Sequence, residues 1–245
     1  MKTNYVAPYA LAACVALGIL NACHRHQAST RILFIGNSYT FCNGGIDKQL
    51  ERLTPACKTE CLALGGYTLE KHWNEGQALQ AIRRGGWNYV VLQEQSQGPV
   101  INRTRFFDAA RRFDSEIRRA GAKTVLLMTW ERPDSVRYGV TTSNLASAYT
   151  SLGAELGAKV APAGLACARA LAGMPGLALY IQDGHPTAEG TYLAACVLYG
   201  TLFEQSPVEN PRSDQRIPDD KKAYLQQIAS ESLCSCQVSQ AHSAP

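Results

Sequence analysis

No phosphate-binding fingerprint occurs in this chain. Neither G-x-G-x-x-G nor G-x-x-x-x-G-K-[ST] is formed by any of its 20 glycines, which argues against a flavodoxin-like nucleotide-binding domain. Metal-ligand spacing is missing as well. Cys234-x-Cys236 is one residue tighter than the usual Cys-x-x-Cys zinc half-site. There is no basic patch with interleaved aromatics, and a net charge of +4 is modest, so nucleic acid is not an expected partner. Long low-complexity tracts are also absent. Histidine is scarce, with five in the chain, and that narrows the search for a catalytic base.

What is present suits one globular domain. The chain has 245 residues, 46% of them hydrophobic and 18% charged, enough for a single core without demanding two. Its start differs from the rest. Lys2 precedes Val6 to Leu20, which are almost all apolar or small, and Leu20-Asn21-Ala22-Cys23 follows. A charged start, a short apolar stretch and a small residue before the cut read as an export signal over residues 1–23. The stretch is short for a membrane-spanning helix. Its ending resembles a bacterial lipoprotein box, in which Cys23 is lipidated; ordinary cleavage with release and an uncleaved anchor are the alternatives. The expected location is the periplasm or the outer membrane of a bacterium, with membrane attachment through Cys23. Of nine cysteines, Cys14 and Cys23 lie in this segment. Export permits disulfides, but the seven beyond are an odd number, so at least one is expected to stay free or pair elsewhere.

Between residues 30 and 204, strand-like and helix-like patterns alternate. Arg31 to Gly36, Thr59 to Leu64, Tyr89 to Leu92, Thr124 to Met128 and Lys159 to Pro162 are short β-rich runs. Ile46 to Leu53, Gln77 to Arg84 and Thr187 to Phe203 read as helices. Phe106, Ala110, Phe113, Ile117 and Ala120 mark one buried helix face, and Leu145, Tyr149, Leu152 and Leu156 another. Continuous apolar strands alternating with helices predict a three-layer α/β/α sandwich around a parallel sheet of about five strands. Residues 205–245 are polar and Pro-rich, with a short helix predicted near Asp219 to Ile228 and a loose tail. In such sheets, sites lie beyond the carboxyl ends of the strands. Polar or glycine-rich pieces follow the first strand (GNSYT), the second (GGYT) and the third (QEQSQ).

Ser38 ends the first strand after a glycine, and a serine hydroxyl needs a base to become a nucleophile. A plain strand-ending turn is the rival reading. His24 and His26 adjoin the signal and His242 lies in the tail, leaving His72 and His185 within the fold. His185 stands in Asp183-Gly184-His185-Pro186-Thr187, with an acid nearby that can fix the imidazole tautomer. Helix capping by Asp183 or Thr187, with His185 a bystander, is the alternative.

The blocks LFIGNSYT, GGYTLEKHW, VVLQEQS and DGHPT, in this order over roughly Arg31 to Phe203, resemble the SGNH (GDSL-like) hydrolase family. The likeness is to a bacterial branch reading Gly-Asn-Ser where the wider family reads Gly-Asp-Ser. The resemblance implies a flavodoxin-like α/β/α hydrolase fold and a serine esterase acting on small acyl esters, with acetylated carbohydrate foremost. Lipid or thioester substrates are alternatives, and no metal or organic cofactor is implied. It makes Ser38 the nucleophile and His185 the general base. The backbone N–H groups of Ser38 and Gly66 become oxyanion donors. Gln95 falls where the family presents an oxyanion-hole Asn, and Gln93 is the second choice. Asn37 replaces the family's Asp outside the triad. The family's acid lies three residues before the histidine, a place held here by Gln182. Either Asp183, two before, still reaches the ring, or the enzyme works as a Ser-His dyad, or Glu94 substitutes. Tyr39, Trp73 and Trp130 lie where they could line a substrate pocket; ordinary aromatic packing is the other reading. Glu131-Arg132 after the fourth strand could face the site; a solvated loop is the favoured reading. A non-catalytic glycan-binding protein with a decayed site is the second functional reading.

Overall fold

The computed structural model describes residues 29–212 and 216–241, with side chains described up to 234. The segment read as an export signal, with Cys23 at its end, lies outside the described residues. The first half runs β1 (Thr30–Gly36), α1 (Ser38–Phe41), α2 (Ile46–Leu53), β2 (Cys57–Ala63), α3 (Leu69–Glu75), α4 (Gln77–Arg84), β3 (Tyr89–Leu92) and α5 (Gly98–Ile101). The second half runs α6 (Arg103–Arg119), β4 (Lys123–Leu127), α7 (Thr142–Leu156), β5 (Lys159–Ala161), α8 (Ala163–Gly173), α9 (Ala188–Phe203) and α10 (Asp219–Ala241).

The five strands form one parallel sheet in the order β2-β1-β3-β4-β5. Alternation along each strand divides the core. Ile32, Phe34, Val91, Val125, Leu127 and Ala161 face α2, α8, α9 and α10. Leu33, Ile35, Val90, Leu92, Leu126 and Val160 face α4, α6 and α7. With helices on both faces, the strands need no polar side, which is why they read as unbroken apolar runs. Helix α9 has no polar face either. Every residue from Gly190 to Leu202 is buried, as befits a helix enclosed on all sides. Chain order reverses at β1, which pairs with β2 on one side and β3 on the other. The crevice above such a reversal is where open α/β sheets hold their sites, and Ser38 stands there.

Two expectations change. Helix α10 continues to Ala241 rather than ending near Ile228. Leu225, Ile228, Ala229 and Ser232 are buried, and the Ser232 hydroxyl donates to the Ile228 carbonyl at 2.8 Å. Strand β2 begins at Cys57 rather than Thr59 and ends at Ala63 rather than Leu64, so Cys57 and Cys61 both lie within it. Cys42, Cys57, Cys61, Cys167, Cys196 and Cys234 are all free thiols.

Candidate active site

The turn that carries Ser38 is built by two carboxamides. Asn37 has extended backbone angles and caps α1, its Oδ1 accepting from the Tyr39 N–H at 3.1 Å. Its Nδ2 donates to the Tyr67 carbonyl at 3.0 Å. An amide serves here where a carboxylate would set negative charge against that carbonyl. Gln93, directly after β3, secures the same turn from the other side. Its Oε1 accepts from the Asn37 N–H and the Thr40 hydroxyl, each at 2.9 Å, and its Nε2 donates to the Glu94 carbonyl. Gly36 is required by this approach. A Cβ there would stand 2.5 Å from Thr40 Oγ1 and 2.6 Å from Gln93 Oε1.

The third block therefore differs from the expectation. Gln93 is 2% exposed and braces the turn rather than facing an oxyanion. Gln95 is also turned inward on its own loop. Its Oε1 accepts from the N–H groups of Gln97 and Gly98 at 3.0 and 3.1 Å, and its Nε2 donates to Ser96 Oγ at 3.1 Å. Gln93→Leu keeps the bulk but orphans two buried donors. The expected loss is about 2–4 kcal/mol of stability, read as a lower midpoint in denaturant unfolding.

Glu94 is not joined to His185. Its carboxyl accepts from the Gln95 N–H at 2.7 Å and from the Leu69 N–H, in the first turn of α3, at 3.1 Å. Burial nevertheless pushes this group up to about 7. The folded chain thus holds the proton more tightly than the unfolded chain, whose value is near ~4.3. The stabilisation is full below that unfolded value and is lost as pH rises through about 7. Thermal melts should show the midpoint falling from about pH 5 to about pH 8, and Glu94→Gln should abolish that slope.

The last block folds back on itself. Tyr180 and Pro186 form an isolated antiparallel bridge, and the Ile181 N–H donates to the His185 carbonyl at 2.9 Å. Within this loop, Asp183 Oδ1 accepts from the backbone N–H of His185 at 3.0 Å and lies 2.9 Å from its Nδ1. The Asx turn brings the acid to the ring across a two-residue spacing. These bonds from His185, backbone first, hold the Asp183 carboxyl below the usual range. Gln182, at the family's acid position, is exposed. On its other side, His185 Nε2 lies 2.8 Å from Ser38 Oγ. With Nδ1–H directed at the carboxylate, Nε2 presents its lone pair to the serine hydroxyl.

Tyr39 and Trp130 support this loop from beneath. Their rings stack at 4.7 Å and 3°, and Tyr39 meets the His185 ring edge-on at 5.6 Å. Trp130 Nε1 donates to the Gly184 carbonyl at 3.0 Å. Both aromatics are buried, so the packing reading describes them, and burial pushes the Tyr39 phenol up to about 12. Trp73 packs edge-on against Phe113 of α6, with Arg112 over its ring. Its contacts are thus with α6 rather than with the Ser38 turn. His72 is a structural histidine. Its buried Nε2 donates to the Gly36 carbonyl at 2.7 Å, and burial lowers its proton affinity. Asn43 was missed in the sequence; its Nδ2 donates to the Pro186 carbonyl at 2.5 Å and ties the two loops together.

Among the described residues, the N–H groups of Ser38 and Gly66 have no hydrogen-bond partner. Gly66 sits at φ +71 in the turn closed by Tyr67 N–H to Leu64 O at 3.1 Å, a third-position conformation that favours glycine.

No family model and no curated protein matches this chain. Solved structures do. A Slackia heliotrinireducens protein assigned as an SGNH hydrolase is 30% identical, with a TM-score of 0.63, over 71% of this chain and 99% of that one. A DUF4886 family protein of Bacteroides uniformis is 19% identical, with a TM-score of 0.67, over 84% and 95% of the two chains. A psychrotrophic esterase from a Pseudoalteromonas species, solved with monoethylphosphonate, is 16% identical, with a TM-score of 0.54, over 71% and 97%. The last two share the fold. The first is similar along nearly its whole length, and with it the chain belongs to the SGNH hydrolases, as a serine hydrolase of α/β/α architecture.

Proposed function

We propose that this chain hydrolyses small acyl esters, acetyl esters foremost, with a carbohydrate as the alcohol, through an acyl-enzyme on Ser38. His185 Nε2 takes the hydroxyl proton as Ser38 Oγ attacks the ester carbonyl. The oxyanion that forms is met by the N–H groups of Ser38 and Gly66. The imidazolium, steadied by Asp183, returns the proton to the departing sugar alkoxide. Water then repeats the sequence on the acyl-enzyme, releasing the acid and restoring Ser38.

The observation that carries this reading is the chain of contacts from Ser38 Oγ to His185 Nε2 at 2.8 Å and from His185 Nδ1 to Asp183 at 2.9 Å. A sugar as the alcohol is supported by the openness of the site. The His185 and Asp183 side chains are 36% and 60% exposed, so a bulky hydrated group can approach the serine. Treating the protein with a fluorophosphonate and digesting it should place the adduct on Ser38. Assays should then show acetylated saccharides turned over faster than long-chain p-nitrophenyl esters. An adduct on another serine overturns the mechanism. Labelling at Ser38 with preference for long chains overturns only the substrate. No labelling favours the glycan-binding reading. The same proposal places the activity at the bacterial cell envelope, anchored through lipidated Cys23. Mass spectrometry of the mature N-terminus tests that, and an unmodified terminus beyond Cys23 refutes it.

A further inference from the structure

With Gln93 and Gln95 both turned inward, the oxyanion hole rests on two backbone N–H groups, those of Ser38 and Gly66. They belong to separate turns, and two donors serve one oxygen only if those turns keep a fixed separation. The Gly66 turn is fastened at both ends to the two residues that precede the nucleophile. At its start, the Leu64 N–H donates to the Gly36 carbonyl at 3.3 Å. At its end, the Tyr67 carbonyl accepts from Asn37 Nδ2 at 3.0 Å. The two fastenings differ in kind. The first continues the β1–β2 ladder, which pairs Gly36 with Ala63, and the Gly36 carbonyl takes a second bond from His72 Nε2 at 2.7 Å. The second depends on one side chain. Among the described residues it is the one hydrogen bond from the Ser38 turn to residues 65–67. Asn37 is buried, so losing that partner leaves its donor unsatisfied. Its Oδ1 meanwhile caps α1 through the Tyr39 N–H at 3.1 Å. One carboxamide thus grips both the helix that starts at Ser38 and the turn that carries Gly66.

We propose that Asn37 is a positioning residue for the oxyanion hole: its Nδ2 bond to the Tyr67 carbonyl holds the Gly66 N–H in register with the Ser38 N–H. The inference rests on the reading of Ser38 as nucleophile and of these two N–H groups as its oxyanion donors. It gives the Gly-Asn-Ser block a task that Gly-Asp-Ser cannot perform in the same way. An ionised carboxylate only accepts, and has no proton to give to a carbonyl. The task belongs to the transition state. The ester oxygen of the bound substrate carries little charge and asks little of the hole, whereas the tetrahedral adduct carries a full charge and needs both donors. Losing the bond should therefore lower kcat and leave KM nearly unmoved.

The test is steady-state kinetics on p-nitrophenyl acetate with Asn37→Asp, Asn37→Ser, Gly66→Ala and the double variant Asn37→Asp/Gly66→Ala, each beside a thermal melt. Asn37→Asp keeps the shape and the cap acceptor and loses the donor. Asn37→Ser keeps a cap and adds no charge, and its shorter arm does not span to Tyr67. Deleting an oxyanion donor costs about 10²–10³ in kcat and displacing it costs part of that, so both Asn37 variants should lose about 10–100-fold in kcat, with KM within about twofold. Gly66→Ala disturbs the same donor from the other side. Its Cβ would meet nothing within 4 Å, but the residue sits at φ +71, so the substitution acts by backbone strain alone. If Asn37 works through that donor, the double variant loses little more than the worse single one. That pattern supports the proposal. A folded Asn37 variant with kcat within about twofold of wild type overturns it, and so do a loss carried by KM and losses that multiply in the double variant. Fluorophosphonate labelling of the wild type separates the two levels. If Ser38 is labelled and kcat holds in the Asn37 variants, this inference alone fails; if Ser38 is not labelled, the reading of the nucleophile fails first and this inference falls with it.

Discussion

Ser38→Ala and His185→Ala are each expected to lower kcat for p-nitrophenyl acetate by about 10⁵–10⁶-fold, and the double variant by no more than either alone. The serine and the imidazole act as one unit. Without the base, the hydroxyl keeps its proton; without the hydroxyl, the base has nothing to activate. Their 2.8 Å contact is the path by which the hydroxyl proton leaves, so breaking either end removes the whole effect. Folding should be little disturbed. Both side chains are partly exposed, and the Ser38 turn is held by Asn37 and Gln93 rather than by the serine itself. Steady-state kinetics beside a melting curve would check this. Activity that persists within tenfold of wild type in Ser38→Ala would exclude Ser38 as the nucleophile.

Much of the fold was legible because periodicity reports burial. Ile46–Leu53, Gln77–Arg84 and Tyr89–Leu92 have the bounds that the pattern predicts. Helix α8 was not legible. AGLACARALAG is nearly all small and apolar, so no polar face sets a period. Helix α3 is short, and its clearest signal is the Thr68 side chain accepting from the Lys71 N–H, a local cap that many turns share. The site divides along similar lines. Ser38 and His185 stand in local motifs, and so does Asp183 once the Asx turn is seen. The work of Gln93 is not local. Its acceptor oxygen meets the Asn37 N–H, 56 residues away in the chain, and nothing at the third block announces that distance. For the same reason Arg132 read as a solvated charge. Its partner Asp134 is two residues off, but its aliphatic arm also lies against the Gly184 turn, which is distant in the chain.

Asp183→Asn is expected to lower kcat for the same ester by about 10⁴-fold, with KM nearly unchanged. The substitution preserves shape. An Asn Oδ1 can still accept from the His185 N–H, so the Asx turn should persist. What changes is the ring. The carboxylate accepts from Nδ1–H and so leaves Nε2 unprotonated toward Ser38; an amide can instead donate to Nδ1, which puts the proton on Nε2 and removes the base. The carboxylate also opposes the positive charge that appears on the imidazole in the transition state, and an amide cannot. A Ser-His dyad would tolerate the change, with a loss of tenfold or less, so one kinetic ratio separates the two mechanisms. The pH dependence points the same way. The carboxyl is held below its usual range by its bonds from His185. Its stabilising contact is therefore present above the unfolded value and lost only as pH falls through the lower folded one. At neutral pH the wild-type carboxylate is ionised, and the whole loss in Asp183→Asn reports its charge and its hold on the tautomer rather than a partial titration.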